Sequence, residues 1–132
     1  MEVRLEMKSN PIVEKSKAFA LRIIKMYRFL VEKKKEFVLS KQVLRSGTSI
    51  GANIRESQRG QSKADFYAKL YIALKEADET AYWLELLHES DMLPDGQFSS
   101  IYFDCNELIS MLVAITATQK QSRPQPITSS NS

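Results

Sequence analysis

The sequence predicts an all-α protein, an antiparallel up-down-up-down four-helix bundle. Apolar residues recur at steps of three and four in four separate segments, and only short breaks separate these segments. No segment alternates apolar and polar residues as a half-buried strand would. We therefore expect a bundle over residues 10–120, preceded by an extension over 1–9. A disordered tail rich in Ser, Gln, Pro, Asn and Thr should follow over 121–132.

The first helix has a clear start and a clear end. Asn10 is a good N-cap residue, and Pro11 suits the first helical position. The run Lys33–Glu36 should end the helix, where cations complement the negative end of its dipole. The predicted buried stripe consists of Ile12, Ser16, Phe19, Ile23, Met26 and Leu30.

The second helix carries an unusual stretch, from Ser46 to Ala52, in which Ile50 is the only large residue. We expect Ser40 to cap this helix and Gly60 to follow its end at the C′ position. Gly47 and Gly51 lie four residues apart, and each costs a helix interior about 1 kcal/mol relative to alanine. Their presence predicts that another backbone approaches closely. The predicted stripe consists of Val43, Gly47, Ile50 and Ile54.

The third helix should be the longest, and Ser62 with Asp65 resembles a capping box at its start. Its main stripe is predicted to consist of Phe66, Leu70, Ala73, Ala77, Thr80, Leu84 and Leu87. A second stripe of Tyr67, Tyr71 and Leu74 widens this apolar surface. After a break at 91–96, the fourth helix should bury Phe98, Ile101, Cys105, Leu108, Leu112 and Ile115.

Composition limits the function classes. The chain contains no uninterrupted run of 18 apolar residues and no apolar segment near Met1, so we expect neither a membrane span nor a secretory signal. The single cysteine, Cys105, excludes an internal disulfide and is typical of the reducing cytoplasm. Charge is divided unevenly: residues 1–63 hold 15 Lys/Arg and 6 Asp/Glu, whereas residues 64–132 hold 4 and 10. This asymmetry favours a polar partner, either nucleic acid or another copy of the chain.

The strongest candidate site is a basic row along the second helix. It consists of Lys41, Arg45, Arg55 and Arg59, joined by Lys63 in the following turn. From Lys41 to Arg59 the row is about 27 Å long at the rise of an α-helix. Such a row suits contacts with phosphates, which supply affinity without reading sequence. The alternative is an ordinary solvated helix face whose arginines pair with acids.

A second candidate is a polar cluster of Asn53, Glu56, Glu76 and Glu79. Paired carboxylates can perform acid–base chemistry or hold a metal ion. No nucleophile or base accompanies them, so we favour a structural role in fixing the register between helices or subunits.

Other motifs are better explained by structure than by chemistry. Glu85 and His88 match one Glu-x-x-His element of a di-iron bundle, but a complete site needs two such elements. Cys105 lies on an apolar stripe and is typical of a core residue. We therefore expect no cofactor, no metal and no catalytic residue. Four aromatic residues of the third helix favour core or oligomer contacts over base stacking; they are Tyr67, Tyr71, Tyr82 and Trp83.

The stretch Ser46–Glu56 closely resembles the signature of bacterial 23S rRNA intervening-sequence proteins. The match continues through Asp65-Phe66, Lys69, Ala73, Lys75-Glu76, Glu79 and Tyr82-Trp83-Leu84. The resemblance implies a small cytoplasmic four-helix bundle that assembles into a homopentamer, and some members are encoded within insertions in rRNA genes.

Together these observations predict a non-enzymatic homo-oligomer that binds nucleic acid, with RNA favoured over DNA, through the basic face of its N-terminal helices. The alternative is a protein-binding scaffold or adaptor whose basic and acidic halves meet around a ring. We expect no interaction with a membrane.

Overall fold

The computed structural model describes residues 10–122 of the 132-residue chain, with side chains to residue 118. It contains four helices and, within that range, no strand: α1 is Pro11–Glu32, α2 is Leu39–Ser57, α3 is Lys63–Glu89 and α4 is Asp95–Ser122. The predicted all-α class with four helices is therefore confirmed. The proposed extension over 1–9 lies outside the described residues. The proposed tail also lies outside them from residue 123 onward, and α4 extends two residues past the expected boundary at 120.

Consecutive helices pack side by side and run antiparallel. Contacts between α2 and α3 pair Arg45 with Glu76 at one end and Glu56 with Lys69 at the other, so residue numbers rise along one helix as they fall along the other. The contact between α1 and α4 follows the same pattern, and it is the sparsest of the four neighbouring pairs. The helices therefore close into a bundle in which α1 and α4 are least tightly joined.

The core is built from the predicted apolar stripes. The six predicted residues of α1 are all buried, as are the four of α2. In α4, Ile101, Cys105, Leu108 and Leu112 are buried, whereas Phe98 and Ile115 are half-buried. In α3 the stripe holds from Leu70 to Leu87, but its first residue is wrong. Tyr67 is buried there and Phe66 is half-buried against it, with the two rings edge to face.

Two predicted helix ends are confirmed by their hydrogen bonds. Asn10 Oδ1 accepts from the Ile12 N–H at 3.1 Å, and Pro11 occupies the first turn of α1. Ser62 Oγ accepts from the Asp65 N–H at 3.1 Å at the start of α3.

Two predicted ends of α2 are wrong. Ser40 is the second helical residue rather than the cap, because the carboxylate of Glu36 accepts from the N–H groups of residues 38, 39 and 40. At the other end, the helix stops at Ser57 and Gly60 has no left-handed conformation. The N–H groups of residues 58–60 instead bond to carbonyls three residues back, which tightens the last turn without a glycine.

Helix α4 carries few charged residues and exposes two large apolar side chains. By length and composition alone, the segment Asp95–Thr118 of this helix could cross a membrane. The sequence prediction missed this segment because polar residues interrupt its apolar ones. Only 22% of the relevant window is buried inside the chain. One side of α4 packs into the bundle, and its outer side leaves Phe103 and Val113 exposed.

Candidate nucleic-acid interface

The predicted basic row lies on the outer surface of the bundle. All five residues are exposed: Lys41, Arg45 and Arg55 on the side of α2 opposite its buried stripe, Arg59 in the turn beyond Ser57, and Lys63 at the start of α3. The predicted row therefore does not continue along one helix as far as Arg59, because α2 ends at Ser57. The structure does not place them in one equivalent environment. Arg45 leans toward α3, whereas Arg55 lies on the flank of α2 that faces α1.

Arg45 is neutralised by two carboxylates. Its guanidinium contacts Glu76 Oε1 at 3.2 Å and also pairs closely with Glu79. Glu79 in turn accepts from the indole N–H of Trp83 at 3.0 Å. Beneath this cluster, Thr80 Oγ1 lies 2.8 Å from Ser46 Oγ, and both residues are fully buried. Arg45 therefore belongs to the contact between α2 and α3 rather than to an open basic surface.

The predicted polar cluster separates into three parts. Glu76 and Glu79 bind Arg45, whereas Glu56 pairs with Lys69 Nζ at 2.9 Å nearer the other end of α3. The amide of Asn53 donates to the carbonyl of Ser49 within its own helix at 2.9 Å. The four residues thus do not form one site, and the three carboxylates all serve ion pairs between α2 and α3.

Arg55 borders a groove between α1 and α2. The groove has a volume of about 200 Å³ and an exposed cation on each side, Lys17 from α1 and Arg55 from α2. Small side chains and the backbone make up most of its lining, including Ala20, Gly51 and Ala52. Lys17 was not among the predicted site residues. Its place beside Ser16 of the buried stripe puts it at the edge of the packed face of α1, and that spacing is the only sequence signal for it.

The glycines of α2 explain why α1 lies so close. A Cβ atom on Gly47 would lie 2.8 Å from Ile23 Cγ1, and one on Gly51 would lie 3.3 Å from the backbone oxygen of Ser16. The predicted close approach of another backbone is thus confirmed, and the backbone is that of α1. This approach brings the cations of the two helices to one face.

Ion pairing differs between the exposed surface around this groove and the opposite side of α1. Within the described residues, no carboxylate lies within 4.0 Å of the charged groups of Lys17, Lys41 or Arg55. On the opposite side of α1, by contrast, Lys15 pairs with Glu107 at 3.3 Å and Arg22 with Asp104 at 2.6 Å. We call the outer surface that carries Lys17, Lys41 and Arg55 the α1–α2 face; Lys17 and Arg55 border its groove, whereas Lys41 lies in the first turn of α2.

Arg59 and Lys63 lie near the turn between α2 and α3, at one end of the molecule. Arg59 borders a second groove, of about 390 Å³, together with Glu56, Asp65 and Lys69. The two carboxylates reduce the positive field there. Arg59 and Lys63 have no ion-pair partner in the described part of the chain, but their surroundings are mixed in charge rather than basic.

The remaining candidates have structural surroundings. His88 Nε2 lies 2.7 Å from Asp95 Oδ1, and the His88 ring stacks on Phe98. The Glu85 carboxylate accepts from the hydroxyl of Tyr102 at 2.6 Å. That carboxylate raises the pKa of the Tyr102 phenol. The two halves of the Glu-x-x-His element therefore serve different contacts, and between residues 10 and 122 no three His, Cys, Asp or Glu residues are grouped as a metal site.

Cys105 and the aromatic residues also lie where packing explains them. The Cys105 thiol is fully buried, and burial raises its pKa to about 12. Tyr67 is buried, Trp83 is half-buried, and Tyr82 is 54% exposed on the outer side of α3. Together with Ile72 of α3 and with Phe103 and Val113 of α4, Tyr82 gives these two helices several exposed apolar side chains.

Comparison with known proteins gives a consistent result. Residues 8–114 match the family described as 23S rRNA-intervening sequence protein. A crystal structure from Bacteroides thetaiotaomicron VPI-5482, of a protein of unknown function from the S23 ribosomal protein family, is also similar. It is 55% identical, with a TM-score of 0.79, and the match covers 80% of this chain and 97% of that chain. No curated protein matches this chain.

Proposed function

We propose that this chain, which belongs to the 23S rRNA-intervening sequence protein family, is a non-enzymatic, homo-oligomeric RNA-binding protein of the cytoplasm. The observation that carries the proposal is the α1–α2 face, where Lys17, Lys41 and Arg55 have no carboxylate partner among the described residues. The family name, which refers to 23S rRNA, favours RNA over DNA as the partner.

The α1–α2 face suits phosphates rather than bases. Exposed Lys and Arg side chains on rigid helices supply an attraction that does not depend on sequence. Lys17 and Arg55 stand on either side of a groove whose lining is mostly small, so no bulky side chain of that lining covers the two cations. Long flexible side chains would then adapt to the spacing of the phosphates.

Assembly would multiply this binding surface. Exposed apolar residues on α3 and α4 leave an outer surface suited to a second copy; they include Ile72, Tyr82, Phe103 and Val113. The homopentamer that the family resemblance implies would bury these residues and repeat the α1–α2 face around the ring. Each RNA molecule would then contact several weak sites at once, which raises its overall affinity.

The direct test is binding of a fluorescent structured RNA, measured by anisotropy across a salt series. We expect the affinity to fall steeply as salt increases, with a slope that corresponds to several phosphate contacts. Competition with duplex DNA and with single strands would define the target. Absence of binding at low salt would contradict the proposal.

The alternative function, a protein-binding scaffold, is favoured by the uneven charge of the two halves of the chain. A Lys17→Glu/Arg55→Glu variant separates the two functions. If the face binds RNA, the variant keeps the native mass in light scattering and loses RNA binding. If the oligomer dissociates instead, these cations serve assembly and the scaffold function is supported.

A further inference from the structure

The loop between α1 and α2, residues 33–38, presents an aromatic ring among three cations. The side chains of Lys33, Lys34 and Lys35 are exposed, Phe37 is 52% exposed and Val38 is 70% exposed. No other part of the described chain places an exposed aromatic residue beside consecutive lysines. The predicted role of this run, to end the first helix, accounts for the lysines but not for the exposed ring.

The loop is held in a defined conformation. Lys35 has a left-handed φ of 54°, and the N–H of Glu36 donates to the carbonyl of Leu30 in the last turn of α1 at 3.0 Å. Ser40 Oγ donates to the carbonyl of Glu36 at 2.8 Å from the other side. The backbone that carries Phe37 is therefore held on both sides.

The one acidic residue of the loop does not offset its lysines. The Glu36 carboxylate accepts from the N–H groups of Leu39 and Ser40 at 2.9 and 2.6 Å, at the positive end of α2. Within the described residues, none of the three lysines has an ion-pair partner. The loop thus combines an exposed ring with a positive field.

We propose that the α1–α2 loop binds single-stranded RNA, with Phe37 stacking on an unpaired base while Lys33, Lys34 and Lys35 contact the flanking phosphates. Aromatic stacking combined with cations that follow the backbone is how proteins hold single strands without reading sequence. The proposal rests on the proposed function. It adds a preference for unpaired nucleotides that the cations of the α1–α2 face cannot supply.

The position of the loop supports this partner. Lys41 lies one helical turn beyond Val38, so the loop continues directly into the α1–α2 face. One strand could therefore contact both. A lipid surface is a poorer match, because the loop offers only Phe37 and Val38 as apolar groups, whereas interfacial anchoring uses the whole apolar face of a helix.

The proposal is tested by measuring how tightly the full chain binds a fluorescent oligouridylate and an RNA duplex of equal length. We expect Phe37→Ala and Phe37→Leu to weaken oligouridylate binding by about 5- to 150-fold, the range for loss of one stacked base. Phe37→Trp should retain the affinity, and duplex binding should change little. The salt dependence should stay the same, because the ring carries no charge.

Val38→Ala is the matched control, since it removes exposed apolar surface next to the ring without removing an aromatic group. It should bind both RNAs like the unaltered chain. Thermal unfolding of each variant establishes that it is folded.

Three results would overturn the proposal. If Phe37→Ala binds oligouridylate as tightly as the unaltered chain, or if Phe37→Leu does, no stacked base is present, although the proposed RNA function survives. If the unaltered chain binds neither RNA at low salt, both proposals fail. If it binds anionic phosphatidylserine vesicles through Phe37 and no RNA, the loop is a membrane contact.

Discussion

Helix α2 meets its two neighbours in different ways. Toward α3 it presents charged and hydroxyl groups that find partners: Arg45 with two glutamates, Glu56 with Lys69, and Ser46 with Thr80. Toward α1 it presents Gly47 and Gly51, and the helices touch through small groups. Cations on the first side are used within the chain, whereas those on the second side remain available.

The difference follows from which charged side chains of α2 each helix contact leaves exposed to solvent. Close approach through glycine joins α1 and α2 without charged side chains, so Lys17 and Arg55 stay exposed beside the groove. On the other side, the carboxylates of α3 lie within reach of Arg45. A basic side chain on α2 is therefore a candidate for RNA binding only where α3 offers it no carboxylate.

The contact between α3 and α4 gives a reference for both sides of α2. Cys105 lies there, fully buried, with its Sγ 3.4 Å from the carbonyl oxygen of Ala77. Because burial raises the thiol pKa to about 12, the thiol stays protonated in the folded chain well above its ordinary pKa. We expect a thiol reagent at pH 8 to label the native chain at least about 1000-fold more slowly than the urea-unfolded chain. Comparable rates would show that the core is open at Cys105.

The raised pKa of Cys105 also makes the stability of the folded chain depend on pH. The folded pKa lies above that of the unfolded thiol, so the stabilisation is complete below the unfolded value of 9.0 and is lost as pH rises toward about 12. Native labelling should therefore depend on opening of the bundle rather than on ionisation of the buried thiol between pH 7 and 9.

Gly47→Ala tests the close approach of α1. Its new Cβ would collide with Ile23, a stiff and fully buried side chain, at 2.8 Å. We expect a loss of about 1–3 kcal/mol in the free energy of unfolding, despite the better helix propensity of alanine. Urea titration measures this free energy.

Gly96→Ala is the control for that variant, because nothing lies within 4 Å of a Cβ at that position in the first turn of α4. It should leave stability unchanged or raise it slightly. If both variants were equally stable, the contact between α1 and α2 would not depend on the absence of a side chain at Gly47.

Arg45→Met tests the paired side of α2 and should have the smallest effect. The Arg45 side chain is 48% exposed, and solvent weakens its ion pairs, so we expect a loss below about 1 kcal/mol that shrinks further with salt. RNA affinity should not change, because Arg45 is already neutralised. A marked loss of RNA affinity would mean that Glu76 and Glu79 release it to the ligand.

The interior of this molecule could be predicted from its sequence, because burial follows helical periodicity. The stripes of α1 and α2 and the caps at Asn10 and Ser62 depend on local spacing alone. Ser40 was a misleading cap signal, since the carboxylate of Glu36 accepts from the N–H groups of Leu39 and Ser40 and the helix begins before Ser40. Residue type identifies a possible cap but not a competitor for it.

The surface was harder to predict. Arg45 and Arg55 lie ten residues apart, so they point about 80° apart around α2 and occupy opposite flanks of one outer face. Which flank meets α1 and which meets α3 depends on the handedness of the bundle, and short loops do not determine it. For the same reason, the spacing within α2 could not reveal Lys17, which joins the site from another helix.

Whether the α1–α2 face binds RNA is tested most directly by the salt dependence of binding in three proteins: the unaltered chain, Lys17→Gln/Arg55→Gln, and Arg45→Gln. Each lost phosphate contact lowers the slope of log affinity against log salt by about 1. We predict a slope lower by about 2 for the double variant and an unchanged slope for Arg45→Gln. Equal slopes for all three proteins, or a reduction only in Arg45→Gln, would contradict the assignment of RNA binding to the α1–α2 face.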